Sequence, residues 1–284
     1  MAILSYREFA APERLRRYVR CAWHLELDAD PDHVETIYPD GCCELIAHRK
    51  HPMHALDAAR GWRQQERCLF AAQQRSAIRL SARSDVDCIG VRLQPAASAL
   101  LFEVSLADLR DRIVDLASMD PELSRGYAAA ALQPDLDTSV ADVWKLLEHR
   151  FAPLQIDQRI ETAVGCLEIS DGCRQVAHII SESGMSPRSF QIAFQEQVGL
   201  SPKEFARILR LQATIRMLDE GERPVSQVAA DSGFSDQAHA TREVRRVTGT
   251  TPARLRNALR ENRSDDTSIR LAAAFVRGRL GGPD

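Results

Sequence analysis

Lysine is nearly missing from this 284-residue chain: of 37 basic residues only Lys50, Lys145 and Lys203 are lysine, and the rest are arginine. Against 40 acidic residues they leave a net charge of −3, which excludes a protein that coats nucleic acid through bulk positive charge. Long apolar runs are missing too. The cleanest, Ala128–Leu132 and Leu271–Val276, fall far short of the ~18 residues that a spanning helix needs. Met1–Leu4 followed by Tyr6, Arg7 and Glu8 lacks the apolar core of a signal peptide, so the expectation is a cytoplasmic protein with no membrane partner. Seven cysteines, odd in number and irregularly spaced, suit a reducing compartment better than a disulfide framework. A Gly-rich phosphate loop, a nucleophile elbow and a zincin motif are all lacking, so neither an enzyme nor a bound cofactor is expected.

What is present is a globular composition, 44% hydrophobic and 27% charged, in a chain long enough for two domains. The first third reads as short strands at Arg20–Leu27, Val34–Tyr38, Cys42–His48, Cys68–Ala72, Ala77–Ser81 and Val86–Leu93, bounded by Pro, Asp, Gly or charge. Alternation is clearest in the last, where Ile89, Val91 and Leu93 share one face and Cys88, Gly90 and Arg92 the other. Pro39-Asp40-Gly41 is a turn, with φ preset by proline, a local Asx bond and a glycine for positive φ. After Pro95 the period becomes helical, over Ala96–Glu103, Leu106–Asp111, Pro121–Leu132 and Ser139–Phe151. The expected fold is α+β in two domains. Residues 1–152 would form a small antiparallel β-barrel with flanking helices and 153–260 an all-α domain, with 261–284 a tail carrying a short amphipathic helix.

The informative feature is a repeat at about 50-residue spacing. Ile179-Ile180-Ser181-Glu182-Ser183-Gly184-Met185-Ser186 is echoed by Val228-Ala229-Ala230-Asp231-Ser232-Gly233-Phe234-Ser235, and Gly199-Leu200-Ser201-Pro202 by Gly249-Thr250-Thr251-Pro252. Each copy reads as a helix-turn-helix: a short helix closes on a glycine, and a Ser or Asp caps a second, projecting helix. The projecting helices are expected at Pro187–Gln197 and Gln237–Thr248, with Pro202–Asp219 a long connector between the units. Phe190, Ala193, Phe194 and Val198 would face inward in the first, and Ala240, Val244 and Val247 in the second. That leaves Arg188, Ser189, Gln191, Ile192 and Gln195, and Gln237, His239, Thr241, Arg242, Arg245 and Arg246, outside or flanking. Arginine forks onto guanine and glutamine onto adenine, while further arginines clamp phosphates. A single Gly-Xaa-Ser turn is an ordinary helical connection; two copies at matched spacing favour DNA binding. Six arginines and one acid, Glu243, fall within the nineteen residues 242–260, so the near-neutral total conceals a local positive face.

At these residues the chain resembles the AraC/XylS class of bacterial transcription regulators. The stretch Gly233-Phe234-Ser235-Asp236-Gln237-Ala238-His239 is close to that family's signature, with Gly249-Thr250-Thr251-Pro252 and Arg254-Leu255-Arg256 behind it. The resemblance implies base reading by Arg188, Ser189, Gln191 and Ile192 and by Gln237, Ala238, His239 and Arg242, with Gln195, Arg245 and Arg246 on phosphates. Ile192 stands where arginine is common, which suits contact with a thymine methyl. Ile37–Leu45 and Gly90–Ala96 are similar to landmarks of one branch of the class, which implies a cupin-like sensor domain. Implied partners are a double-stranded DNA operator, an unknown small-molecule effector, a second copy in a homodimer and, for an activator, RNA polymerase. Within the sensor domain Tyr38, Asp40, Glu44 and Arg92 are the candidate effector-pocket residues, although such turns and strand arginines are usually architectural.

The alternative is a metal- or thiol-responsive sensor acting through protein contacts rather than direct DNA binding. Its candidates are His48, His51 and His54 with His24, His33 and the adjacent Cys42 and Cys43, whose thiolates Arg92 would activate. The 48–54 stretch also holds Arg49, Lys50 and Pro52, which reads as a solvated loop, so no metal ligand set is expected.

Overall fold

The computed structural model describes residues 4–261 apart from 58, 103 and 222. The helix expected within 261–284 therefore lies outside the described residues, except for Glu261. The first domain contains strands β1 (Leu4–Ala10), β2 (Val19–Leu27), β3 (Asp30–Ile37), β4 (Glu44–His48), β5 (His54–Asp57), β6 (Gly61–Gln64), β7 (Cys68–Ala71), β8 (Ile78–Ala82), β9 (Val86–Leu93) and β10 (Ile113–Asp115). They form a six-stranded sheet in the order β1-β2-β9-β4-β7-β10 and a four-stranded sheet in the order β3-β8-β5-β6, antiparallel throughout.

Helices α1 (Leu106–Leu109), α2 (Leu116–Met119), α3 (Pro121–Ala131) and α4 (Leu136–Phe151) follow. The larger sheet is covered on both faces, so β9 is buried at every position. Ile89, Val91 and Leu93 pack with Leu45, Phe70 and Tyr127 beneath α3 and α4, while Cys88 packs with Trp23, Leu25 and Met53 towards the smaller sheet. The Tyr127 hydroxyl lies within hydrogen-bond reach of the Leu45 and Ile89 carbonyls, at 3.0 and 3.2 Å, which satisfies a phenol buried against apolar strands.

The second domain is helical: α5 (Gln158–Ile169), α6 (Val176–Glu182), α7 (Pro187–Val198), α8 (Pro202–Glu220), α9 (Val225–Asp231), α10 (Gln237–Thr248) and α11 (Pro252–Glu261). Two larger cores serve it, Phe190, Phe194, Phe205 and Leu209 around the first helix pair and Leu211, Ile215, Leu218, Val244 and Leu255 around the second, with a small cluster of Ala229, Phe234 and Ala240 beside the latter.

The domains share contacts. Ala96 and Ala97 sit in the first helical core, and Tyr38 packs against the second. Gly41, at φ +85°, lies so close to Phe205 that a Cβ there would sit 2.8 Å from the ring. Gln212 of α8 donates to the Pro39 carbonyl at 2.5 Å, and the Ala77 N–H donates to Val247, near the end of α10, at 3.1 Å.

Several expectations need correction. Residues 48–54 are not one solvated loop: His48 closes β4 at 1% exposure, His54 opens β5, and His51 alone of the three is exposed. The helix expected at Ala96–Glu103 is a 3-10 turn at Ser98–Leu101, and the one expected at Leu106–Asp111 stops at Leu109, with β10 following at Ile113. Strands β1, β5, β6 and β10 were not expected at all. β9 also imposes a tight steric demand. A Cβ at Gly90 would overlap the Trp23 indole lying across it, so Gly90→Ala is predicted to lower stability by about 1–3 kcal/mol through overpacking. Urea unfolding of the full chain measures this, and an unchanged midpoint contradicts it.

Candidate nucleic-acid interface

The two repeat units are built by the same local rules. α6 ends at a turn whose Gly184 takes φ +68°, and α9 at one whose Gly233 takes φ +73°, a conformation that a Cβ disfavours. Ser186 then caps α7 by accepting the Ser189 N–H at 3.2 Å, and Pro187 occupies the first turn, where a missing N–H costs nothing. Asp236 caps α10 by accepting the His239 N–H at 2.6 Å, a bond that holds its carboxyl below the ordinary carboxylate range. Both projecting helices are twelve residues long and both close on a left-handed glycine, Gly199 or Gly249. The connector α8 carries a full capping box, Ser201 with Glu204, and is buried along most of its length.

On α7, Phe190, Phe194 and Val198 point into the core, and Ala193 is half-buried. Arg188, Ser189, Gln191 and Ile192 are exposed, Ile192 at 46%, and Gln195 is half-buried on the flank. The Ser189 hydroxyl is shared with that of Ser186 at 2.9 Å, so it serves the cap. On α10, Ala240, Val244 and Val247 are buried, and Gln237, Ala238, Arg242, Arg245 and Arg246 are exposed. Half-buried His239 is hydrogen-bonded through Nδ1 to the Ser235 hydroxyl, 3.1 Å away, and stands edge-on to Phe234. Among the described residues the side chains of Arg188, Gln191, Gln237, Arg242 and Arg245 have no hydrogen-bond or ion-pair partner, so they reach solvent uncommitted. Arg246 differs. It pairs with Glu243 at 3.3 Å and lines a cleft of about 240 Å³ with Arg75, Asp111 and Arg207, facing the first domain. Glu243, the one acid on α10, is also held by Arg207 at 3.0 Å.

The candidate pocket residues are only partly brought together. Arg92, 1% exposed, pairs with Glu44 at 3.0 Å, Asp40 at 3.2 Å and Glu8 at 3.6 Å. Tyr38, Asp40 and Glu44 line a crevice beside β3, with Tyr38 turned towards the helical domain. The thiol reading loses its activating group: Arg92 is committed to these carboxylates, and burial pushes the Cys43 thiol up to about 12. Cys42, Cys43, His48, His51 and His54 form no metal-ligand cluster among the described residues. The one such group, His24, Glu26 and Asp87, is tied by Arg49 bonding to Asp87 at 3.0 Å. Glu35, not among the sequence candidates, is buried at 1% and shares with His48 the wall of a cavity between the two sheets. The available signal was the alternation that gives Glu35 the same face of β3 as Ile37.

Residues 179–258 match a family model described as a helix-turn-helix domain, and residues 7–115 match a domain of unknown function (DUF6597). The probable transcriptional regulator LumQ of Photobacterium leiognathi is 32% identical over 79 residues, covering 28% of this chain and 32% of LumQ. The helix-turn-helix region is thus similar to those of transcription regulators of the AraC/XylS type. The arabinose operon regulatory protein of Escherichia coli is 25% identical over 121 residues, 41% of this chain and 40% of that protein. A solved structure of ToxT from Vibrio cholerae covers 84% of this chain and 97% of its own at 14% identity, with TM-score 0.45. The AraC/XylS-type match spans about a third of the length of the first curated relatives. No helix among the described residues is long and apolar enough to cross a membrane.

The cap geometry makes a direct prediction. Ser186→Ala should cost about 1 kcal/mol by leaving first-turn N–H groups of α7 unsatisfied, and Ser189→Ala should cost less. Thermal unfolding of both variants measures it; equal losses contradict the cap assignment.

Proposed function

We propose that the chain is a sequence-specific DNA-binding regulator of transcription whose residues 153–260 lay α7 and α10 into adjacent major grooves of a double-stranded operator. The observation that carries this reading is the pair of capped, twelve-residue helices joined by one buried connector, each with uncommitted Arg and Gln side chains on its free face. Two helices serving successive grooves of one duplex face need a separation of about 34 Å, or about 10 bp, which a buried connector holds constant. Arg188, Gln191, Gln237 and Arg242 are the base readers, with Ile192 and Ala238 offering apolar contact to thymine methyls. Ser189 and His239, both engaged by their own turns, add shorter-range contacts. Arg245 and Gln195 serve phosphates, and Arg246 joins them on leaving Glu243. The matching regulators, LumQ and the arabinose operon regulatory protein by name, support the reading.

Residues 1–152 act as the controlling domain. β3 runs into Tyr38 and Pro39, which meet the second core and Gln212, and β8 is entered from Ala77, which bonds Val247 at the end of α10. A change in spacing between these strand ends would therefore reach the second unit directly.

The test begins with operators selected from a random duplex pool. Arg242→Ala is expected to lose about 1–3 kcal/mol of operator affinity with relaxed preference at one base pair. Arg245→Ala should weaken all sequences alike and lower the salt slope by about 1. Unchanged affinity and preference in Arg242→Ala would remove that residue from the reading surface.

A further inference from the structure

We propose that the cavity between the two sheets, with His48 in its wall, is a binding site for a compact uncharged molecule that has an apolar body and one hydroxyl group. The cavity measures about 60 Å³ and is walled by Trp23, Ile37, Met53, Ile78 and Leu80. That is smaller than the cavity of about 150 Å³ that takes up benzene, so the occupant is small. Its polar feature is His48. The side chain is 1% exposed, and neither ring nitrogen has a hydrogen-bond partner among the described residues. Leaving a buried donor and acceptor unmatched is costly, and it marks the place where an incoming group gains most.

The chemistry selects the class. Burial drives the His48 pKa down to about 4; nearby Gln65 opposes this but falls short of hydrogen-bond geometry. The ring is thus neutral near pH 7 and offers one donor and one acceptor, which a hydroxyl matches because it both donates and accepts. A carboxylate would enter a low-dielectric space already walled by Glu35 and Glu44, with the Arg92 charge spent on Glu44 at 3.0 Å. An ammonium would have to give up its hydration in a largely apolar wall beside a neutral imidazole, with Glu44 already engaged by Arg92 and by Trp23 Nε1, at 3.1 Å, and Glu35 already holding an interaction of its own. Only the name effector for the occupant rests on the regulator reading above. The link is physical: cavity-wall residues Ile37 and Ile78 adjoin Tyr38 and Ala77, which touch the helical domain.

The experiment uses the full chain labelled with 15N-histidine and titrated with ethanol, which is smaller than benzene, with acetate and ethylammonium as charged counterparts of similar size. His48→Gln assigns the His48 resonances. The alcohol should shift the His48 nitrogens saturably and bind at least tenfold more tightly than either ion. Ala71→Leu, which fills the cavity from β7, should weaken the alcohol at least tenfold; if that variant does not fold, Leu80→Phe replaces it. Absence of a saturable His48 shift, as for a cavity that holds only water, overturns the proposal. So does tighter binding of an ion, or undiminished binding in the filled variant. Operator affinity, measured on the same preparation without the alcohol, stands or falls separately.

Discussion

A fully buried guanidinium sets the terms for this molecule. Arg92 lies on the inter-sheet face of β9 at 1% exposure, where an uncompensated charge would be prohibitive, and carboxylates from three separate places converge on it. Glu8 brings in the edge strand β1, Glu44 the neighbouring strand β4, and Asp40 the Pro39-Asp40-Gly41 turn. The last of these matters most for the whole chain. Holding Asp40 fixes its two neighbours, and those neighbours contact α8: Pro39 through Gln212, and Gly41 by lying against Phe205. The charge that organises the first domain therefore also fixes where the second domain attaches.

Connector α8 is the other half of that arrangement. It is buried on several sides because it serves the first helical core through Phe205 and Leu209, the second through Leu211, Ile215 and Leu218, and the first domain through Gln212. Glu204 caps its own helix and also meets Arg75 at 3.6 Å and Arg110 at 3.5 Å from the first domain. A rod held in this way transmits position rather than bending. The two helix-turn-helix units hang on it, and their free faces keep uncommitted arginine and glutamine where a duplex can reach them.

The sequence made the repeat legible because each step has a local cause: Gly184 and Gly233 for the left-handed turns, Ser186 and Asp236 for the caps, and periodic Phe190, Phe194, Ala240, Val244 and Val247 for the buried faces. Three of the unexpected strands hide for identifiable reasons. β5 and β6 are four residues each, the first half-buried and the second largely exposed, too short to show an alternation, and β10 is only three residues long. His48 was concealed by its neighbours: Arg49, Lys50 and Pro52 look like a loop, yet Arg49 turns inward to bond Asp87, Ser139 and the Ala131 carbonyl. Contacts such as Ala77 with Val247 join residues 170 positions apart and leave no periodic trace. The committed role of Arg246, paired with Glu243 and facing the first domain, is equally a property of the assembled fold.

The central claim is that α7 and α10 work as one rigid reading head on DNA. Methylation interference on an operator selected from a random duplex pool tests it most directly. The account predicts two clusters of major-groove contacts on one face of the duplex, centred about 10 bp apart, with Arg188→Ala weakening one cluster and Arg242→Ala the other. A single cluster, or two clusters on opposite faces of the duplex, would contradict it.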